Sequence, residues 1–207
     1  MKYLVALAGL LSALANAGVF STEKVQAYPT DWPTLSRMSE TCSEVQGAYA
    51  DPNRWRWERE EFPGSPLGSK YGGTREAAWM TFGFAAEDVR SEDQKVKERT
   101  FVVSLGSDQS ITISYLVDER VVATRGFAKD KLSCTSDGLT ITTLERSGSV
   151  LDKFPNKGRM LVRSTLYKQQ GYLYVKTTHQ TTARVVQVIP QSFLNVVWFR
   201  FQERSVR

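Results

Sequence analysis

The residues able to do chemistry are few and scattered. His179, the one histidine in the chain, sits in "VKTTHQTTA" with no acidic neighbour. A zinc site takes three or four His, Cys or carboxylate ligands, and a hydrolytic triad takes a nucleophile, a base and an orienting acid. The local sequence supplies neither set, so the segment reads as a hairpin tip carrying a solvated imidazole. Adjacent carboxylates occur at Glu60-Glu61, Glu87-Asp88 and Glu92-Asp93. A glycoside-cleaving pair must face across a substrate at about 5–10 Å, which sequence adjacency does not provide, and Arg or Lys near each pair suits a solvated surface. Gly72-Gly73 is followed by Thr74-Arg75, not by the Lys-Ser/Thr of a phosphate loop, and reads as a turn. No cofactor motif is present.

Cys42, in "SETCSEVQGAYA", and Cys134, in "KLSCTSDGLT", are the only two thiols. Neither belongs to a C-x-x-C motif, and a nucleophilic thiolate would have a single histidine to call on as base. In an exported chain an even pair of cysteines reads as a disulfide. In the chain-entropy model a bond between positions so far apart stabilises by about 4–5 kcal/mol.

Trp55, Trp57, Phe62 and Tyr71 fall in or beside an irregular segment, where Arg54, Arg56 and Arg59 alternate with the two tryptophans. Aromatic loops at the mouth of a barrel make a recognition surface. The competing expectation is that these side chains plug one end of the barrel, since apolar groups in a single domain are usually buried. A nucleic-acid surface is not indicated, because the net charge is only +5 and Glu58, Glu60 and Glu61 offset the arginines.

Around these residues the chain divides into recognisable parts. "MKYLVALAGLLSALANA" has a basic start, an apolar run and small residues at Ala15 and Ala17, the pattern of a secretory signal over residues 1–17. Its apolar run falls short of the roughly 20 residues that span a bilayer. No cysteine follows the small residues, so no lipid anchor is expected. Residues 18–41, broken by Pro29 and Pro33, read as an exposed arm, and residues 42–207 as a single β-rich domain. Residues 52–99 form a long irregular insertion, with a short helix favoured near "REAAWMTFGF".

From Thr100 onward the apolar pattern has a period of two. Short β-branched or aromatic segments are separated by turn chemistry such as Gly106-Ser107-Asp108 and Ser136-Asp137-Gly138. Gaps this short join antiparallel neighbours and exclude helical crossovers. The pattern predicts about eight strands, with a further one at "EVQGAYA", in an up-and-down meander that closes as a barrel or curls strongly; a two-sheet sandwich stays open as an alternative.

Gly47-Ala48-Tyr49 at the first strand, followed by this meander and a late Trp198-x-Arg200, resembles the lipocalin or broader calycin pattern. "C-S-E-V-Q-G-A-Y" and "W-F-R-F" are also similar to exported proteins of Gram-negative bacteria. Tyr49 stands where lipocalins carry Trp, and residues 52–99 have no counterpart in a compact lipocalin start. The resemblance implies a barrel able to hold an apolar ligand.

Three functions are therefore expected to compete. The first is a non-enzymatic envelope protein, periplasmic or secreted, that binds a small apolar ligand in or at the mouth of a barrel. The second is a protein-interaction module acting on an envelope partner, and the third is a hydrolase whose convergent polar groups would include His179. A non-reducing peptide map of the mature protein should recover one cross-linked peptide containing Cys42 and Cys134, and two free thiols in oxidised material would contradict the disulfide.

Overall fold

The computed structural model describes residues 20–51, 55–56, 74–75, 77–84, 98–150, 156–185 and 189–204. The strands are β1 (Phe20–Val25), β2 (Gly47–Ala50), β3 (Trp55–Arg56), β4 (Thr74–Arg75), β5 (Arg99–Leu105), β6 (Ile111–Val117) and β7 (Arg120–Phe127). They continue as β8 (Leu132–Thr135), β9 (Gly138–Gly148), β10 (Asn156–Gln169), β11 (Tyr172–Val185) and β12 (Ile189–Arg204). One six-residue helix, α1 (Ala77–Phe82), lies in the insertion, where a short helix is expected.

Ten strands form one sheet in the order β7-β6-β5-β2-β12-β11-β10-β9-β8, with β1 added along β12; β3 and β4 form a separate ladder. Except for the parallel β1–β12 pair, every pairing is antiparallel. The order is that of an up-and-down barrel cut between β7 and β8. The sheet is strongly curled and not closed, so the sandwich alternative falls away.

Period-two patterning sets which face is buried. Ile111, Ile113 and Tyr115 of β6 are fully buried while Thr112 and Ser114 between them are half-exposed. Val197, Phe199 and Phe201 of β12 are buried on the same concave side, with Arg200 and Gln202 exposed on the other. Two expectations need correction. "GYLYVKTT" and "ARV", expected to flank a hairpin tip, are one continuous strand, β11, because every residue from Tyr172 to Val185 finds a partner on both β10 and β12. The segment expected as an exposed arm is docked: Phe20–Val25 pair with Gln191–Val196, and Tyr28 and Trp32 pack on the convex face.

The open cut is bridged by a side chain. Arg125 of β7 donates through Nη1 to Phe82 O at 2.7 Å and to Gly83 O, and through Nη2 to Thr143 O of β9 at 3.1 Å. Thr143 is the extra residue of a β-bulge between its neighbours' pairings with Val162 and Arg163, and a bulge of this kind re-aims a backbone group. Phe82 and Gly83 end α1, whose last carbonyls have no partner within the helix. Gly83 stops the helix at φ 68°, a conformation that suits glycine. One guanidinium fork thus ties the helix end to both sides of the cut.

The lower end, where β10 turns into β11, is capped by the segment preceding β2. Cys42 is bonded to Cys134 of edge strand β8, at a sequence separation of 92, and Met38 N donates to Ser136 O at 3.0 Å. Met38, Cys42 and Val45 are buried beneath the sheet. The disulfide therefore fastens a plug across the curl.

Arg125→Leu should lower stability by about 2–4 kcal/mol, since it leaves carbonyls of Phe82, Gly83 and Thr143 without donors in a partly desolvated place. Arg125→Lys should recover only part of the loss, because an ammonium cannot reproduce the planar fork. Urea unfolding midpoints of the three proteins decide this, and an unshifted midpoint for Arg125→Leu would show that the bridge is dispensable.

Candidate functional site

The register of β9 to β12 stacks the concave side chains in rows, and their chemistry changes from the lower end upward. Lys168, Leu173 and Phe201 form one row, and Leu166, Val175 and Phe199 the next. Here the space is filled by rings. Phe101 lies 4.9 Å from Phe201, 5.1 Å from Phe82 of α1 and 5.4 Å from Tyr49, centroid to centroid. A ligand inside this half would have to displace a packed aromatic core.

The middle row consists of Ser164, Thr177 and Val197. Its hydroxyls are satisfied: Ser164 Oγ donates to Thr81 O of α1 at 2.6 Å and lies 3.1 Å from Thr177 Oγ1. Above it comes the row Leu144, Val162, His179, Asn195 and Lys24, running from β9 to β1. The next row is Arg146, Met160, Thr181, Phe193 and Thr22. Val162, Thr181 and Ala183 are buried, and Met160 and Phe193 are half-buried.

His179 and Asn195 are direct cross-strand partners, so their Cβ atoms stand about 5 Å apart. Burial pushes the imidazole down from its ordinary 6.5 to about 4, which makes it neutral at physiological pH. A neutral imidazole offers one donor and one acceptor. Among the described residues it forms no hydrogen bond or ion pair, and Asn195 Oδ1 is buried with no hydrogen-bond partner. Two polar groups with unused bonding capacity thus sit side by side, with Val162, Met160 and Phe193 beside them and Lys24 and Arg146 at the two ends of the rows. The hairpin-tip reading of His179 is corrected accordingly: the residue is mid-strand and faces inward. The signal that could have found it is the alternation Leu173, Val175, Thr177, His179, Thr181, Ala183, which keeps one parity through the whole of β11.

The other anticipated residues separate. Gly47 and Tyr49 belong to the lower end, where Tyr49 OH donates to Val45 O at 2.7 Å and receives Lys168 Nζ at 3.2 Å. Lys168 also pairs with Glu203 and lies 4.9 Å from the Tyr49 ring centre. Burial, then the Glu203 charge, raises the phenol pKa, so Tyr49 is a structural hydrogen-bonding group and not an acid. A Cβ on Gly47 would stand 3.1 Å from Glu203 Oε1 and 3.2 Å from Tyr49 OH, which explains the glycine. Trp198 and Arg200 point to the convex face, away from Tyr49. There the Arg200 guanidinium lies 5.2 Å from the Trp32 ring and 5.1 Å from the Tyr172 ring, and Trp198 meets Tyr28 at 4.9 Å. Tyr28 and Trp32, from the arm, were not anticipated as partners of this shelf, although their place beside Pro29 and Pro33 marks a segment that packs without regular structure.

Trp55 lies on β3, paired with Arg75 of β4, and its side chain is outside the described residues, as are Trp57, Phe62 and Tyr71 altogether. Among the described residues no group of three His, Cys, Asp or Glu side chains could hold a metal ion, and no helix is long and apolar enough to cross a membrane. No family model, curated protein or solved structure matches the chain.

The depressed His179 pKa has a thermodynamic consequence. Between pH 6.5 and about 4 the unfolded chain binds a proton at His179 that the folded protein rejects. Stability therefore falls as pH drops through that window, by on the order of 3 kcal/mol when complete. Denaturation midpoints should show this acid loss in the wild type and a smaller one in His179→Gln; equal slopes in the two proteins would refute the inward placement.

Proposed function

We propose that the protein is an exported, non-enzymatic binding protein that holds a small, mainly apolar ligand on the upper concave face, with His179 and Asn195 engaging one neutral hydrogen-bonding group of that ligand. The observation that carries this reading is the buried Asn195 Oδ1 without a hydrogen-bond partner, standing beside His179, which forms no hydrogen bond among the described residues, and near Val162, Met160, Phe193 and Ala183. Buried polar groups in native proteins are nearly always bonded, and a ligand supplies the missing partner. Export is supported by the signal-like residues 1–17 and by the Cys42–Cys134 bond, which suits an oxidising compartment. The resemblance to calycin barrels points the same way, with the ligand moved above a lower half that rings already fill. A hydrolase is disfavoured because His179 forms no hydrogen bond or ion pair with a carboxylate or hydroxyl among the described residues. The second reading, a protein-interaction module, draws on the convex shelf of half-exposed Trp198, Trp32 and Tyr172 beside the Arg200 cation.

The test uses phenylnaphthylamine fluorescence, with decanol and decane as competitors. Wild type should bind the dye and release it to decanol in preference to decane, whereas His179→Phe/Asn195→Leu should keep the dye and lose about tenfold in the decanol preference, the worth of one or two hydrogen bonds. Trp198→Ala, on the convex face, should match wild type. Absence of dye binding, or its loss in Trp198→Ala alone, would overturn the proposal and favour the convex shelf.

A further inference from the structure

The three longest strands are also the most one-sidedly charged part of the chain. β10, β11 and β12 carry four, two and two basic residues against a single acid, Glu203, which has the inward parity of Phe201 and pairs with Lys168. Arg159 is held by Glu145 and Arg204 by Glu98. The register turns the other five, Lys157, Arg163, Lys176, Arg184 and Arg200, to the convex face, where none forms an ion pair. All are exposed except the half-buried Lys176. Among the described residues, acids stand only at the margins of this face: Glu23 and Asp31 along the arm, Asp137 and Glu145 along β9.

The same face is apolar where a solvated sheet would be polar. "FLNVVWFRF" in β12 is a nearly continuous apolar run, the pattern of a strand covered on both sides, and its outward residues are Leu194, Val196 and Trp198. The arm covers only part of them, with Tyr28 packed on Trp198. Beyond it Leu194 and Leu161 are half-exposed, and Val25, the partner of Val196, is 60% exposed. Six rings form one connected array from Tyr167 through Trp198, Tyr28, Trp32 and Tyr174 to Tyr172, with neighbouring centroids 4.9 to 6.2 Å apart. Lys176 and Arg200 lie over rings of this array, and a ring face holds a cation without neutralising it. The described residues that flank the insertion belong to the other flank of the sheet, past β12: Asp51 bonds Tyr115, Phe84 packs on Tyr115, and Glu98 O accepts from Asp118 N.

This combination selects a kind of partner. β11 is paired on both sides along its whole length, so the face offers no strand edge, and recognition falls to side chains alone. They are spread over a strand of 14 residues, about 45 Å at the usual rise, and not gathered at one point. We infer that the convex face of β10, β11 and β12 seats the protein on an anionic lipid surface, with Arg163, Lys176, Arg184 and Arg200 meeting lipid phosphates and Trp198, Leu194 and Val25 entering the headgroup layer. Trp and Tyr favour that layer because one end of each is apolar and the other polar, and Lys and Arg reach past it to the charges. The inference is independent of the concave-face site, which lies on the opposite side of the sheet.

Co-sedimentation of the mature protein with phosphatidylcholine vesicles, with and without phosphatidylglycerol as one lipid in four, tests it. Phosphatidylglycerol should raise affinity at least about tenfold, and added salt should remove the gain. Arg163→Gln/Arg184→Gln/Arg200→Gln should lose at least about tenfold of that affinity, whereas Arg120→Gln/Lys129→Gln/Arg146→Gln, an equal loss of charge elsewhere, should lose less than about threefold. Arg163→Glu/Arg184→Glu leaves the ring-packed Arg200 in place and should abolish the preference for phosphatidylglycerol. Four results would overturn the inference: no gain from phosphatidylglycerol, equal losses in the two triple variants, release by soluble glycerophosphate at matched phosphate, which would make it a single-anion site, or equally tight binding of polyglutamate, which would make an acidic polypeptide the occupant.

Discussion

The architecture depends on one constraint: a sheet curled tightly enough to bury its concave face must still satisfy two edges that do not meet. β7 and β8 are consecutive in the chain, yet the connection through Lys129–Lys131 carries β8 onto β9 without any pairing between β7 and β8. Arg125 resolves the gap by donating to the carbonyls of Phe82, Gly83 and Thr143, so that a side chain and a helix end take the place of missing ladder rungs. Because α1 is anchored there, Phe82 and Phe84 are held against Phe101 and Tyr115, and the lower interior becomes solid. The disulfide at the lower end works similarly, holding Val45 beneath the sheet through an edge strand. Both devices close a barrel-like curl without closing its hydrogen bonding.

From that arrangement follows a gradient along the concave face. Among the described residues, rings fill the lower rows, bonded hydroxyls make the middle, and the upper rows set His179 and the unbonded Asn195 Oδ1 beside Val162, Met160 and Phe193. The long strands β10, β11 and β12 build this upper wall, whereas β5, β6 and β7 are half their length. The binding proposal belongs to the part of the sheet where no counterpart of the aromatic packing holds the groups in place. The convex shelf is different in kind: its rings and cations already satisfy each other, with Lys176 Nζ 5.8 Å from Trp198 and Arg200 held between Trp32 and Tyr172.

Much of this was legible in the sequence. Strict alternation in "SITISYLV" and "NVVWFRFQ" fixes which side chains face inward, and short turn-rich gaps fix antiparallel order. Cys42 and Cys134 were paired by count and compartment. What escaped was long-range. "VKTTHQTTA" is rich in threonine and contains no long aliphatic residue after Val175, so its polarity imitates a turn, although threonine suits strands well. The parallel pairing of Phe20–Val25 with β12 leaves no local mark, since the two segments lie near opposite ends of the sequence. Arg125 resembles any polar residue of an edge strand until the bulge at Thr143 and the end of α1 are brought to it. Tyr49 and Arg200 resembled a family pair, but an odd residue and an even one on antiparallel strands were left on opposite faces, and Lys168 supplies the cation at Tyr49.

The state of one side chain decides whether the upper concave face can bind, and the single histidine gives a single set of imidazole resonances to follow. Nitrogen-15 NMR of the imidazole, recorded against pH and again after addition of decanol, reads both its enclosure and its availability. An enclosed His179 should be a neutral ring at pH 7 that takes up a proton only near pH 4, with ring-nitrogen shifts displaced by decanol. A histidine that titrates close to 6.5 and ignores decanol would be a solvated surface group, and the upper concave face would then not be the binding site.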